Sequence, residues 1–171
     1  MIPALKVQIK ERGAVPRKLR KVYTASSKVA WAETGRKFHA EMRDDRFTKE
    51  HARVARYVKR RGEEPGLSES DFRRSYTGKK LSKWGHTNPL QWSGETRRNV
   101  RSANISQTSK GATVRYPGAR KLNFRNPHSS INMADEFRRT TADERKELAA
   151  QYDTSLNREM NADKTTEVRT I

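Results

Sequence analysis

The sequence predicts an α+β fold, in which a helical N-terminal half packs on a small antiparallel sheet and a C-terminal helix completes the domain. Three observations predict this class: helical spacing of apolar residues through the first half, two short alternating runs joined by a turn, and a second helical pattern near the C terminus. The length of 171 residues fits one domain. We expect that domain to span residues 1–161, with a strand or arm at 1–16 and a polar tail at 162–171.

The composition leaves room for only a thin hydrophobic core. Hydrophobic residues make up 32% of the chain and charged residues 34%, whereas an ordinary domain is about half apolar. Two interpretations are open: a partly disordered chain, or a subunit that finishes burying its apolar surface against neighbours. The regular patterning of the apolar residues favours the second.

The charge is strongly basic, with a formal net value of +18. Most of the surplus lies in residues 1–101, which carry 26 Lys and Arg against 11 Asp and Glu. Such a field implies an acidic partner, either nucleic acid or an acidic protein face. The chain has no Cys and no apolar run long enough to span a membrane. We therefore expect a soluble protein of a cytoplasm-like compartment that has no membrane partner.

The first two predicted elements are a strand and a long helix. In "ALKVQIK" (residues 4–10) apolar and polar residues alternate, which is the period of a half-buried strand. Residues 17–43 favour helix and carry two apolar stripes. The first stripe contains Leu19, Val22, Ala25, Val29 and Ala32, and the second contains Trp31, Gly35, Phe38 and Met42. Either this helix bends near Ala30 or it has neighbours on two sides, and the second arrangement suits an oligomer.

Two further helices are predicted from capping residues. Thr48 can cap a helix that continues to Arg61 and is stopped by Gly62. Ser68 with Asp71 forms a capping-box pattern that opens the next helix, which we expect to end near Lys83.

The sheet is predicted from a hairpin pattern. "ANISQTS" and "GATVRY" are alternating runs joined across Ser109, Lys110 and Gly111. "KLNF" (residues 121–124) is predicted to add another strand, and Asn126–Pro127 marks a loop.

The last helix is predicted to start at Thr141, which forms a second capping-box pattern with Glu144. Its apolar residues recur every four positions, at Leu148, Tyr152, Leu156 and Met160.

No pattern in the sequence indicates an enzyme. The chain has no Gly-x-Ser-x-Gly turn, no phosphate-binding loop and no Cys nucleophile. The four histidines are scattered without metal-ligand spacing, at His39, His51, His86 and His128. We expect no catalytic residue, no cofactor and no metal.

Basic runs interleaved with aromatics indicate possible contacts with DNA or with an acidic partner. These candidates are Lys59, Arg60, Arg61, Arg73, Arg74, Lys79 and Lys80. The simpler interpretation is that they are solvated cations near helix C termini, where positive charge is favoured. No helix-turn-helix, zinc or RNA-binding signature accompanies them.

A second candidate surface is the stretch "NPLQWSGETRRNV" and the tryptophan that precedes it. Two Trp residues bracket a turn, and we expect at least one of them to pack in the core. A Trp beside Gly on a loop is also typical of rigid anchors at protein interfaces, and Ser93 is a credible N-cap for a short turn through Arg98. The candidate interface residues are Trp84, Pro89, Trp92, Ser93, Gly94, Arg97 and Arg98.

Residues 17–160 also resemble a family of tailed-phage virion morphogenesis proteins, the small neck or tail-completion components. The resemblance depends on the order and spacing of several motifs. These are Phe47, Ala52-Arg53 and Tyr57; Tyr76 with Lys80; Gly85-His86; and Pro89-Leu90, Ser93-Gly94 and Arg97. A hairpin pattern over residues 105–116 and a helical pattern over 141–160 follow them, as in the family.

The resemblance implies a structural role. It implies a subunit of a ring at the head-tail junction through which DNA passes, with its own copies and the portal, adaptor, tail-tube or terminator proteins as partners. The place would be the virion, and the host cytoplasm during assembly. The alternative that the basic charge leaves open is a DNA-binding protein that packages or organises phage DNA.

Overall fold

A computed structural model describes residues 4–6, 17–125 and 129–167 and confirms the α+β class. The strands are β1 (Ala4–Lys6), β2 (Asn104–Thr108) and β3 (Gly111–Arg115). The α-helices are α1 (Arg17–Lys37), α2 (Lys49–Val54), α3 (Glu69–Arg74), α4 (Tyr76–Trp84), α5 (Glu95–Asn99), α6 (Met133–Arg138) and α7 (Ala142–Glu167). A π-helical segment (Phe38–Met42) and two 3-10 segments (Asp44–Phe47 and Arg120–Asn123) complete the described elements.

The chain divides into two compact units. The first, here called the corner unit, comprises Asp44–Ser102 and the described part of Pro117–Arg139. The second, here called the sheet unit, comprises the described residues of Ala4–Arg43, Ala103–Tyr116 and Thr140–Ile171.

The sheet is antiparallel, with the strand order β1-β3-β2. The hairpin is confirmed, because β2 pairs with β3 in the register Ile105↔Val114 and the turn between the strands holds Ser109 and Lys110. The predicted N-terminal strand is confirmed over β1, where Leu5 also pairs with Val114. Its predicted continuation through residues 7–10 lies outside the described residues.

Helix α1 buries the second predicted stripe but only part of the first, in which Ala32 is buried. Trp31 and Phe38 of the second stripe are almost fully buried, whereas Leu19 and Val29 of the first are 45% and 40% exposed. Much of the first stripe therefore lies at the surface of this chain. The helix runs unbroken through Ala30 and becomes π-helical only at Phe38–Met42.

The packing of α1 against α7 explains which stripe is buried. Trp31 packs on Tyr152 with a ring-centroid distance of 4.3 Å. The small Ser27 lies beside them and donates a hydrogen bond to the carbonyl of Ser109 (2.7 Å), so the Tyr152 hydroxyl, 2.9 Å away, donates to Ser27 Oγ. Because the contact between α1 and α7 is made by small polar side chains here, the apolar residues in the first half of α1 face outward.

Helix α7 starts as predicted but ends later. The capping box is confirmed by two reciprocal bonds: Glu144 N donates to Thr141 Oγ1 (3.2 Å), and Thr141 N donates to Glu144 Oε2 (2.8 Å). The helix continues through the first part of the predicted polar tail, from residue 162 to Glu167.

Helix α2 also starts as predicted, since His51 N donates to Thr48 Oγ1 (3.1 Å). It ends at Val54, so the expected continuation to Arg61 is wrong. Arg56 adopts a left-handed conformation with φ 54°. Tyr57 N then donates to Ala52 O (2.9 Å) and Arg56 N to Arg53 O (3.3 Å), a Schellman ending.

The predicted helix from Ser68 to Lys83 is two helices. Asp71 N donates to Ser68 Oγ (3.1 Å), which confirms the first cap. Ser75 then interrupts the helix with extended ψ and caps α4, accepting from Gly78 N at 3.0 Å. The two helices meet closely, because a Cβ on Gly78 would lie 2.0 Å from the carbonyl oxygen of Phe72.

Two elements between the hairpin and α7 differ from the prediction. "KLNF" is not a strand, because Arg120–Asn123 forms a 3-10 turn in which Leu122 is fully buried. Helix α6 was not predicted, although Asn132 caps it by accepting from Asp135 N (3.2 Å). Phe137 of α6 packs against Phe47 with a ring-centroid distance of 5.9 Å.

Candidate partner-binding site

The corner unit exposes a pair of aromatic rings. Tyr76 opens α4 and packs against Trp92, with 5.1 Å between ring centroids. Tyr76 is 43% exposed and Trp92 is 37% exposed. Trp84, eight residues after Tyr76 on α4, is 41% exposed, and Lys83 Nζ lies 5.5 Å from the centre of a Trp84 ring. Since neither Trp84 nor Trp92 is buried, the expectation that at least one packs in the core is wrong.

The backbone that carries Trp92 is fixed on both sides. Pro89, Leu90 and Gln91 are buried ahead of it, and Leu90 adopts a left-handed φ of 55°. Gly94 follows with φ 78°, a conformation that glycine adopts at little cost. The exposed tryptophan therefore projects from a buried, tightly turned segment.

The buried side chain of Lys80 holds this turn through a hydrogen bond to its main chain. Only 3% of Lys80 is exposed, and its Nζ donates a hydrogen bond to the carbonyl oxygen of Asn88. Burial, helped by the neighbouring charges of Arg60 and Lys49, lowers the pKa of Lys80 to about 8. Burial and the charge of Lys80 also lower the pKa of His86. The prediction that Lys80 contacts DNA or an acidic partner is wrong, because its ammonium group is committed to the interior.

Helix α5 follows the turn, and its start differs from the prediction. Gly94, not Ser93, occupies the N-cap position, and no side chain caps the helix. Arg97 and Arg98 lie in its last turn and are exposed. Arg97 Nη2 lies 3.3 Å from Asp44 Oδ2. The exposed guanidinium of Arg98 lies close to Gly94, on the same turn as Trp92.

Arg60 is the second predicted surface cation that is buried. Its guanidinium donates to both carboxylate oxygens of Glu136, at 3.1 Å to Oε1 and through Nη2 to Oε2. Glu136 is itself 1% exposed and also accepts from Val58 N (2.8 Å). A buried, hydrogen-bonded ion pair holds the segment after α2 on α6, so the prediction of an exposed Arg60 contact is wrong.

The remaining predicted cations are at the surface. They are Lys59, Arg61, Arg73, Arg74 and Lys79. The expectation that Lys59, Arg60 and Arg61 form a helix C terminus is wrong, because α2 has already ended. Arg73 Nη2 lies 2.5 Å from Glu69 Oε1 in an exposed pair.

The structure thus brings together Trp92, Gly94 and Arg98 of the predicted interface and adds two residues that were not predicted, Tyr76 and Lys83. The sequence carries a signal for them. Tyr76, Lys83 and Trp84 recur at helical spacing, which places them on one side of α4.

In the described ranges 4–6, 17–125 and 129–167, no cluster of three or more His, Asp or Glu side chains could hold a metal ion. No helix in the same ranges has the length and apolar character needed to cross a membrane. No known protein family, no curated protein and no solved structure matches the chain.

Proposed function

We propose that this chain is a structural virion protein of a tailed bacteriophage. It is a neck, head-tail connector or tail-completion component that forms a ring at the head-tail junction, through which DNA passes. The resemblance of residues 17–160 to such proteins suggests the class, and the α+β fold is compatible with it. The protein acts by assembly without chemistry, in the virion and, while assembly proceeds, in the host cytoplasm.

The observation that carries the proposal is the exposed Tyr76–Trp92 pair on a fixed turn. Large rings with few rotatable bonds lose little conformational entropy on binding, and their burial dominates the affinity of protein interfaces. Lys80 and the buried Leu90 hold the turn before any partner arrives. A preorganised aromatic anchor of this kind suits a surface that must dock repeatedly in one geometry.

The partners in this proposal are further copies of the chain, and the portal, adaptor, tail-tube or terminator proteins on either side of the ring. Arg98 is exposed close to Gly94, two residues after Trp92, and provides a donor for a partner carboxylate. Arg97 can exchange its exposed Asp44 partner for a carboxylate of the neighbouring subunit.

The test is the self-association of the purified chain, measured by size-exclusion chromatography with light scattering over a range of concentrations. The chain is expected to form a closed oligomer, and Trp92→Ala is expected to weaken that association at least about tenfold, the effect of an anchor worth about 1.4 kcal/mol or more. Phe124→Ala is the matched control, because Phe124 is an exposed aromatic of the same unit that the proposal does not use.

The proposal is overturned if the chain stays monomeric at every concentration and also fails to bind particles assembled without it. It is likewise overturned if Trp92→Ala and Phe124→Ala behave alike in both assays.

A second candidate function is DNA binding, and the five exposed cations named above favour it. Duplex affinity would then fall steeply with salt, about one slope unit for each phosphate neutralised. Charge reversal of Lys59, Arg61 and Arg74 together should remove that affinity. Unchanged affinity in this triple variant would exclude these residues as the DNA surface.

A further inference from the structure

Helix α4 presents a surface that combines aromatic rings with lysines. We call it the aromatic–lysine face and define it as Tyr76, Lys79, Lys83 and Trp84, with Trp92 packed on Tyr76. The four α4 residues follow the spacing i, i+3, i+7 and i+8, which places them on one side of a helix. All five residues are exposed, and α4 contains three lysines and no acidic residue. A binding partner must therefore bring both apolar contact and negative charge.

The arrangement of the rings favours a polypeptide over a nucleic acid. Single-stranded nucleic acid binds by stacking bases on open aromatic faces. The ring of Tyr76 is contacted by Trp92, and Lys80 Nζ lies 5.6 Å from the ring centre. Lys83 Nζ lies over Trp84. Because Trp92 lies against Tyr76 and Lys83 against Trp84, part of each ring is already in contact, which suits an acidic peptide segment with an apolar side chain better than a stacked base.

The chain itself contains such a segment. Residues 62–72 form a stretch without any Lys or Arg that holds four acidic residues, whereas no other stretch of the chain free of Lys and Arg holds more than two. Every residue from 63 to 71 is exposed. Leu67, in the middle of this stretch, is an exposed large apolar residue. We call residues 63–71, with Glu63, Glu64, Glu69 and Asp71, the acidic segment.

Within one copy, the acidic segment is tied down at the start of α4. Thr77 N donates to the carbonyl oxygen of Arg61 (3.3 Å) just before the segment, and Ser68, within the segment, caps α3. The lysine at position 83 and Trp84 lie at the other end of α4. The side chains of the aromatic–lysine face remain exposed in this copy, so the acidic segment of a second copy can reach them.

We propose that the acidic segment of one copy docks on the aromatic–lysine face of the next copy. Leu67 packs against the rings of Tyr76 and Trp92, and the carboxylates pair with Lys79 and Lys83. Because the two surfaces are different, the contact is head-to-tail, and repeating it through a closing rotation produces a ring. This inference rests on the proposed ring function and names the surfaces that would form it.

The test uses two charge-reversed variants. The face variant carries Lys79→Glu and Lys83→Glu. The segment variant carries Glu63→Lys, Glu64→Lys and Glu69→Lys, so that three of its four acidic residues are reversed and the segment becomes net positive. In each variant the two surfaces have the same charge, so each alone is expected to remain monomeric at concentrations at which the unchanged chain assembles. Mixed in equal amounts, the variants present opposite charges again, and light scattering should detect a co-assembly with 1:1 composition.

Recovery in the mixture also shows that both variants are folded. The same variants allow a second measurement in which all five changes are placed in one chain, which should again assemble alone. Lys110→Glu, in the turn of the hairpin, is a control for a loss of positive charge elsewhere and should assemble like the unchanged chain.

Three outcomes would overturn the inference. If the unchanged chain assembles and both variants assemble equally well, the ring proposal stands and these surfaces do not form the contact. If the face variant loses DNA affinity while its assembly is unchanged, the face binds nucleic acid. If the unchanged chain is monomeric and does not bind particles that lack it, the proposed function fails and this inference fails with it.

Discussion

The two units of this molecule place tryptophan in opposite environments. In the sheet unit, Trp31 is 3% exposed and packs on Tyr152 between two helices of 21 and 26 residues. In the corner unit, where the helices have at most nine residues, Trp84 and Trp92 remain more than a third exposed. The same residue type serves as core in one unit and as surface in the other.

The difference follows from helix length and from how the helices end. Two long helices share a continuous seam, so a ring on one can be covered by the other along many turns. Short helices that end at left-handed residues such as Arg56 and Gly85 change direction before they can cover a large ring. The corner unit buries smaller rings instead, such as Phe47 against Phe137. The buried Arg60–Glu136 pair adds a polar contact to this interior.

The largest expected effect is on the sheet unit. Trp31→Ala removes the ring that packs on Tyr152 and is expected to lower the free energy of unfolding by about 3–5 kcal/mol. Trp84→Ala is the matched control and should cost less than about 0.5 kcal/mol, because its ring is at the surface. Urea denaturation followed by circular dichroism measures both. Equal losses in the two variants would contradict the comparison of the units.

The next effect concerns the internal support of the corner unit. Glu136→Gln leaves the buried guanidinium of Arg60 without its counter-charge and is expected to cost about 3 kcal/mol. Glu69→Gln breaks an exposed pair with Arg73 and should cost at most about 0.5 kcal/mol. Both are measured by urea denaturation. If Glu136→Gln lowers the free energy of unfolding no more than Glu69→Gln does, the Arg60–Glu136 pair is not what holds α6 in place.

The smallest effect is a pH dependence carried by Lys80. The folded chain releases its proton near its pKa of about 8, whereas the unfolded chain keeps it up to the ordinary value of 10.5. The unfolded state therefore binds more protons in this window, and stability should rise with pH, by on the order of 1 kcal/mol. Thermal unfolding at pH values between about 7.5 and 9.5 measures it; above this range the raised pKa of Tyr76 acts in the opposite direction.

Lys80→Met should remove this rise, because a neutral side chain of similar length has no proton to release. Lys79→Met, one residue away at the surface, should keep it. A rise that persists in Lys80→Met must come from another group.

Features of the fold that depend on local chemistry were predicted from the sequence. Thr48, Ser68 and Thr141 cap helices as expected, because a cap involves only the next three residues. The hairpin was found for the same reason. Helix α6 had an equally local signal, Asn132 three residues before Asp135, and could have been predicted from it.

Features that depend on distant residues were not predicted. Arg56 ends α2 in a left-handed conformation. An arginine in the sequence does not predict this conformation. Lys80 and Arg60 were expected at the surface because Lys and Arg residues usually are exposed. Both are buried instead, where Lys80 bonds to the carbonyl of Asn88 and Arg60 to the carboxylate of Glu136. At the candidate site, Trp84 and Trp92 were predicted as candidate interface residues and are exposed, whereas the ring that Trp92 packs against was not predicted.

Gly78 determines the direction in which the aromatic pair points. The first turn of α4 lies so close to the last turn of α3 that a methyl group at this position would collide with main-chain atoms of Phe72 and Arg73. Main-chain atoms cannot move away as a flexible side chain can, so the angle between α3 and α4 is fixed at this contact. Any related chain that docks in the same orientation must keep glycine here, or change the packing of α3 and α4 where they meet.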